Sequence, residues 1–318
     1  MSEVKKIATR ESYGNALAAL GKEHEEIVVL DADLSGSTKT GVFAKAFPDR
    51  FFNCGIAEGN MAGIAAGLAA AGKVPFMSSF AMFAAGRAYE QIRNSIGHPH
   101  LNVKICATHA GVTVGEDGAS HQCLEDLALM RTIPGMTVIC PADDVEARAA
   151  VRAAYEYEGP VYMRLGRYAV PVLYEEEGFT YEIGKGKLLR EGTDVTIAAT
   201  GICVYEAVHA RELLAEKGIS AEVIDIHTLK PIDTELLVAS AQKTGRVVTV
   251  EEHSVIGGLG SAVIDTLCEH MPAPVPVQKI GIYDSYGRSG PAAELMKYYR
   301  IDADGIASQI LEGHILEK

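Results

Sequence analysis

The chain has 318 residues, 48% hydrophobic and 22% charged, enough apolar material for one large core or two of ordinary domain size. Its formal net charge of -13, with no Lys/Arg-rich run, would repel a phosphate backbone and excludes nucleic acid as an expected partner. No stretch approaches the roughly 18 uninterrupted apolar residues of a membrane span, and no apolar segment follows Met1-Ser2-Glu3-Val4-Lys5-Lys6, so the expectation is a cytoplasmic chain without membrane association.

In chain order, Ile27 to Leu30 predicts a buried strand, Met61 to Ala71 an Ala/Gly-rich helix, and Val74 to Met77 and Val103 to Ala107 further strands. Val138 to Pro141 reads as a strand ending at a proline, and Asp143 to Tyr155 as a helix capped by Asp143 or Asp144. Pro160 to Leu165 is the next strand. Strands alternating with helices predict an α/β fold with a mainly parallel sheet covered on both faces. The regular apolar period breaks between Leu173 and Thr193, around Glu175-Glu176-Glu177-Gly178 and Gly184-Lys185-Gly186, which sets expected domains at 1–175 and 190–318. The second, smaller α/β unit restarts with the strand Val195 to Ala199, the helix Val204 to Glu216 and strands at Ser220 to Asp225 and Arg246 to Val250. Six cysteines stand singly in apolar segments with no C-x-x-C pair, the pattern of buried free thiols in a reducing compartment.

Functional groups in open parallel sheets gather beyond the carboxyl ends of strands, and several polar clusters fall there. Asp33, Ser35 and Ser37 follow the first strand, Ser78 to Phe83 another, and His109 to His121 the strand ending at Ala107. Glu58 opens an otherwise apolar helix of small residues. Alone it is compatible with a helix-dipole partner or with a ligand approaching over its small neighbours. Phe80 and Phe83 have ordinary core spacing, which also suits a platform for a flat heterocycle. His109 and His121 lie 12 apart with no short ligand pair, so zinc is not expected. Arg10 and Arg167, taken singly, read as surface charges. The glycines after Glu251-Glu252-His253 fail the spacing of a dinucleotide fingerprint.

Taken together these segments resemble the transketolases. Gly55-Ile56-Ala57-Glu58 before an Ala/Gly helix is similar to the family segment whose Glu contacts the aminopyrimidine of thiamine diphosphate, which implies a cofactor-activating role for Glu58. Phe80 and Phe83 match the family's Phe-x-x-Phe platform for that ring, with Gly86 where a third aromatic usually stands. Thr108-His109-Ala110 through Gly115-Glu116-Asp117-Gly118-Ala119-Ser120-His121-Gln122 resembles the family's His loop, with Ala110 in place of an Asp. The resemblance implies that His109 meets the sugar phosphate, Asp117 a substrate hydroxyl, and His121 the reacting donor oxygens as a catalytic group. Thr9-Arg10 and Gly166-Arg167 match the family's phosphate-binding arginines, Ser37 a phosphate-binding Ser, and Asp33 an Asp at the cofactor-bearing interface. The expected fold is thus a thiamine-diphosphate-binding pyrimidine domain followed by a transketolase C-terminal domain, where the Glu251 to Ser261 block has no catalytic role.

The family's Gly-Asp-Gly motif, which holds the diphosphate through Mg2+ or Ca2+, does not occur in the chain. The resemblance therefore implies no metal ligand here, a partner chain equivalent to the N-terminal half of a transketolase that binds diphosphate and metal, a two-fold assembly of both chains, and sugar phosphate substrates. The expected reaction is transfer of a two-carbon ketol unit. Two alternatives share the layout: the beta chain of a 2-oxoacid dehydrogenase, and half of a deoxyxylulose-phosphate synthase, which has Arg87-Ala88-Tyr89-Glu90-Gln91 in outline.

Overall fold

The apolar runs assemble into two mainly parallel sheets in the structure, a computed structural model describing residues 5–317. In chain order the strands of the first half are β1 (Lys6–Ala8), β2 (Ile27–Asp31), β3 (Phe51–Asn53), β4 (Val74–Phe80), β5 (Lys104–Thr108), β6 (Thr137–Ile139), β7 (Val161–Arg164) and β8 (Ala169–Pro171). Those of the second half are β9 (Lys187–Arg190), β10 (Val195–Ala199), β11 (Ala221–Asp225), β12 (Thr228–Lys230), β13 (Val247–Ser254) and β14 (Val277–Ile282). The seven-stranded sheet has the order β12-β6-β7-β5-β4-β2-β3 and the five-stranded sheet the order β14-β13-β10-β11-β9, while β1 and β8 form a separate antiparallel ribbon.

Every residue of β2, β5, β7, β10 and β11 is buried, which is why these strands are mostly apolar. One face of the first sheet packs on the helices Thr9–Glu23 and Asp144–Glu156 through Tyr13, Leu17, Phe76 and Val151. The other face packs on helix Glu58–Ala70 through Met61, Ala62 and Ala65, and the same core continues into Ile224, Leu237 and Leu259 of the second half. A third core joins β10 and β13 to the helices Cys203–Ala215 and Ala303–Glu312. The halves also share a sheet, because β12 pairs antiparallel with β6. Asp143, not Asp144, caps its helix, accepting the Glu146 N–H at 2.9 Å. Of the cysteines expected to be buried, Cys54 is half-buried and Cys268 exposed.

In the first sheet β2, β3, β4, β5 and β7 run parallel, so their carboxyl ends lie along one edge. That edge carries the segments beginning at Ala32, Cys54, Ala81, His109 and Leu165.

Candidate functional site

Glu58 is the first residue of its helix and only 3% exposed, at the positive end of the helix axis. The preceding Ala57 supplies no side-chain cap. Its one hydrogen-bond partner among the described residues is Arg87, whose Nη1 donates to Oε1 at 3.0 Å. Arg87 ends the π-helical segment Met82–Arg87 and lays its guanidinium over the Phe83 ring, 4.2 Å from the centroid. Phe80, at the end of β4, stacks on Phe83 at 5.7 Å and 18°. The carboxylate and both aromatic rings thus belong to one cluster, with Arg87 joining them.

The same cluster extends to both histidines. His109 stacks on Phe80 with centroids 3.7 Å apart, and His121 meets Phe83 edge-on at 5.4 Å and 72°. His109 has a φ of 56°, a left-handed backbone uncommon for such a residue. Its Nδ1 is 2.9 Å from Thr108 Oγ1 and its Nε2 is 3.1 Å from Arg10 Nη1. A guanidinium can only donate, so Nε2 accepts and the ring proton sits on Nδ1, directed to Thr108. Burial, reinforced by Arg10 and Arg167, pushes the His109 pKa down to about 3.

Arg10 also donates to the Ser37 carbonyl at 2.9 Å, and its Nε is buried without a partner among the described residues. Burial lowers its pKa, opposed by Glu11 and reinforced by the like charge of Arg167, and the Arg10 backbone N–H donates to the Gly166 carbonyl at 3.4 Å, next to Arg167 in the chain. Arg167 donates to the Val114 carbonyl and to Glu116 Oε2 at 3.0 Å. Arg10, Ser37, His109 and Arg167 are therefore brought together, with Ser37 taking part through its carbonyl. Asp33 is exposed and accepts from the Asn53 amide at 2.9 Å, and Asp117 is exposed on the loop without a hydrogen bond among the described residues. Neither makes a hydrogen bond or salt bridge to the aromatic cluster among the described residues.

Three buried residues that sequence reasoning does not single out shape this rim. Asp31 accepts from Leu34 N–H and Thr38 Oγ1 at 2.6 Å and from Thr40 Oγ1 at 2.8 Å, fixing the segment that presents Ser37. From the second half, Glu252 Oε1 accepts the Thr113 N–H at 2.5 Å, while Arg164 donates to the Glu252 carbonyl at 2.8 Å and to Asp126 Oδ2 at 2.9 Å. Gln122 donates to the carbonyls of Val112, Gly115 and Arg288 at 3.0, 3.2 and 2.9 Å. The Glu-Glu-His block thus braces the loop between the two histidines. Among the described residues, no group of three or more His, Cys, Asp or Glu could hold a metal ion, and no helix is long and apolar enough to cross a membrane.

Residues 5–172 match the family described as "Transketolase, pyrimidine binding domain" and residues 184–306 match "Transketolase, C-terminal domain". The chain belongs to the transketolase family. A protein of Methanocaldococcus jannaschii, provisionally named a transketolase C-terminal section, is 56% identical over 304 residues, covering 95% of this chain and 95% of that protein. A subunit of the apulose-4-phosphate transketolase of Phocaeicola vulgatus is 43% identical over 306 residues, covering 96% of this chain and 97% of that one. The solved "Split gene transketolase, inactive beta4 tetramer" superposes with a TM-score of 0.88 at 54% identity, covering 99% of this chain and all of that one.

Transketolases depend on thiamine diphosphate, and the residues fit its flat heterocyclic end. A buried carboxylate with one half-exposed partner stands beside a stacked pair of phenyl rings, the donor set and the face that an aminopyrimidine requires.

Proposed function

We propose that the chain is one subunit of a two-chain, thiamine-diphosphate-dependent transketolase, moving a two-carbon ketol unit from a ketose phosphate to an aldose phosphate. The observation that carries this reading is Glu58, a buried carboxylate beside Phe80 and Phe83 on the same strand edge as His109 and the two arginines. When bound, thiamine diphosphate supplies a nucleophilic carbon that also serves as an electron sink. Glu58 would hold a ring nitrogen and share a proton with it. Phe80 and Phe83 give the heterocycle its face and keep water away. Arg10 and Arg167 form a permanently charged site for a phosphate, with His109 beside them as a neutral imidazole and Ser37 at its edge. His121, edge-on to Phe83, is the group for proton exchange with the donor oxygens, and Asp117 the acceptor for a substrate hydroxyl.

A partner chain equivalent to the N-terminal half of a transketolase would hold the diphosphate and Mg2+ or Ca2+, with Asp33 at the shared interface. The absence of Gly-Asp-Gly from this sequence supports that division, as does the word "inactive" applied to a relative's assembly of beta chains alone. The name of the Phocaeicola relative supports both the two-chain arrangement and a phosphorylated sugar.

The test is ketol transfer from xylulose 5-phosphate to ribose 5-phosphate with thiamine diphosphate and magnesium, for this chain alone and with an N-terminal-half chain. Turnover is expected only in the mixture, and Glu58→Ala should lower it by roughly 100-fold or more. Turnover by this chain alone, or oxidation of pyruvate by the mixture without ketol transfer, would overturn the reading.

A further inference from the structure

Arg87 makes the two contacts that the proposed function assigns to a flat heterocycle. Its guanidinium is planar, stacks on the Phe83 ring at 4.2 Å and donates a hydrogen bond to Glu58 Oε1 at 3.0 Å. The side chain is 53% exposed, whereas the carboxylate it reaches is 3% exposed. A solvent-facing arm therefore satisfies a buried charge that would otherwise be unpaired. Arg87 is the last residue of a π-helical turn, followed by Ala88 in a non-helical conformation.

We propose that Arg87 is a placeholder, seated on Phe83 and Glu58 while the cofactor is absent and displaced when the cofactor binds. The inference rests on the proposed reading of Glu58 and the phenylalanines. Its physical necessity comes from the charge. The Arg87 guanidinium, a fixed positive charge, donates to Glu58 Oε1 at 3.0 Å, and a carboxyl group that is to meet a ring nitrogen cannot remain committed to that partner. Both sides of the conflict are resolved if the arginine keeps the empty site charge-balanced and leaves the filled one. The cost of moving it then appears in the apparent cofactor affinity, which falls by the fraction of subunits whose seat is taken.

The test is calorimetric titration of thiamine diphosphate, with magnesium, into the two-chain complex assembled with wild-type chain, Arg87→Met, Arg87→Lys, Glu58→Gln and the double variant Glu58→Gln/Arg87→Met. Arg87→Met removes charge and plane but keeps an unbranched stem, and should tighten binding by about tenfold. Arg87→Lys, which can still pair with Glu58 but cannot stack, should fall between Met and wild type. Glu58→Gln should weaken binding, and in that background Arg87→Met should no longer tighten it, because the arginine has lost its anchor. Unchanged or weaker binding by Arg87→Met, with Glu58→Gln still weakening, would overturn the placeholder while leaving the site reading intact. No effect of Glu58→Gln on affinity would overturn both.

Discussion

His109 shows how one ring can be fixed in protonation state by its neighbours. It is 2% exposed, receives a hydrogen bond from Arg10 on Nε2 and donates from Nδ1 to Thr108, and its pKa is pushed down to about 3 by burial first and the arginines second. Protonation would set a third positive charge against Arg10 and Arg167. The unfolded chain binds this proton near the ordinary 6.5, and the folded chain only near 3, so the neutral ring contributes stability that is fully present above about pH 6.5 and lost as pH falls toward 3. Histidine-selective NMR is expected to show the His109 Cε1–H shift constant from pH 8 to 5, and His109→Asn should flatten the acid limb of urea stability between pH 6.5 and 4. Titration of that resonance near pH 6.5 would refute the assignment.

At the scale of an element, the loop between the two histidines is held by its own bonds and also, through Glu252, by β13. Gly111 has a φ of +80°, and a Cβ there would collide with the Glu252 carboxyl group. Glu252 has little room to retreat, because Thr113 N–H holds its carboxylate and Arg164 holds its backbone carbonyl. Gly111→Ala is therefore expected to cost about 3 kcal/mol or more, from backbone strain and the clash together. Gly63, in the middle of helix Glu58–Ala70 with nothing within 4 Å of where a methyl group would stand, is the control: Gly63→Ala should stabilise the isolated chain by about 0.5–1 kcal/mol. Urea denaturation of both variants separates the two outcomes. The same contrast separates what is legible in the sequence from what is not. β2, β5 and β7 are legible because strands buried on both faces are mostly apolar, and Glu58 and the His loop because each motif is local. β12 is three residues long and pairs with a strand from the other half, so no local pattern announces it. The Glu252 contact spans 139 residues and the Arg87–Glu58 pair 29, and neither leaves a periodicity; the Glu-Glu-His block reads as structural, but which loop it braces is seen only in the fold.

Across the whole molecule, the two halves meet over a cluster of acids rather than a purely apolar seam. Glu146 comes from helix Asp144–Glu156, Asp225 from β11 and Tyr174 from the segment between, and both carboxylates are fully buried. Tyr174 donates to Asp225 Oδ2 at 2.6 Å, Ala142 N–H to Glu146 Oε2 at 2.7 Å, and Asp143 lies beside them, occupied by the N–H groups of Leu173 and Tyr174. Glu146 Oε1 and Asp225 Oδ1 have no other partner among the described residues, and one proton shared between the two groups satisfies both. Burial raises both pKa values, opposed at Asp225 by the Tyr174 hydrogen bond and by Lys187. The folded chain thus keeps a proton that the unfolded chain releases in the ordinary carboxylate range, so the junction's contribution to stability is complete below about pH 4 and declines as pH rises toward neutrality. The buried histidines oppose this trend over much of the same window, so the wild-type curve alone cannot isolate it. Asp225→Asn can. Asparagine still accepts from Tyr174 and carries no charge to desolvate, so its stability relative to wild type, measured by urea midpoint, should rise steadily from pH 5 to pH 8. A difference independent of pH would mean that the pair is ionised throughout and that no proton is shared at the junction.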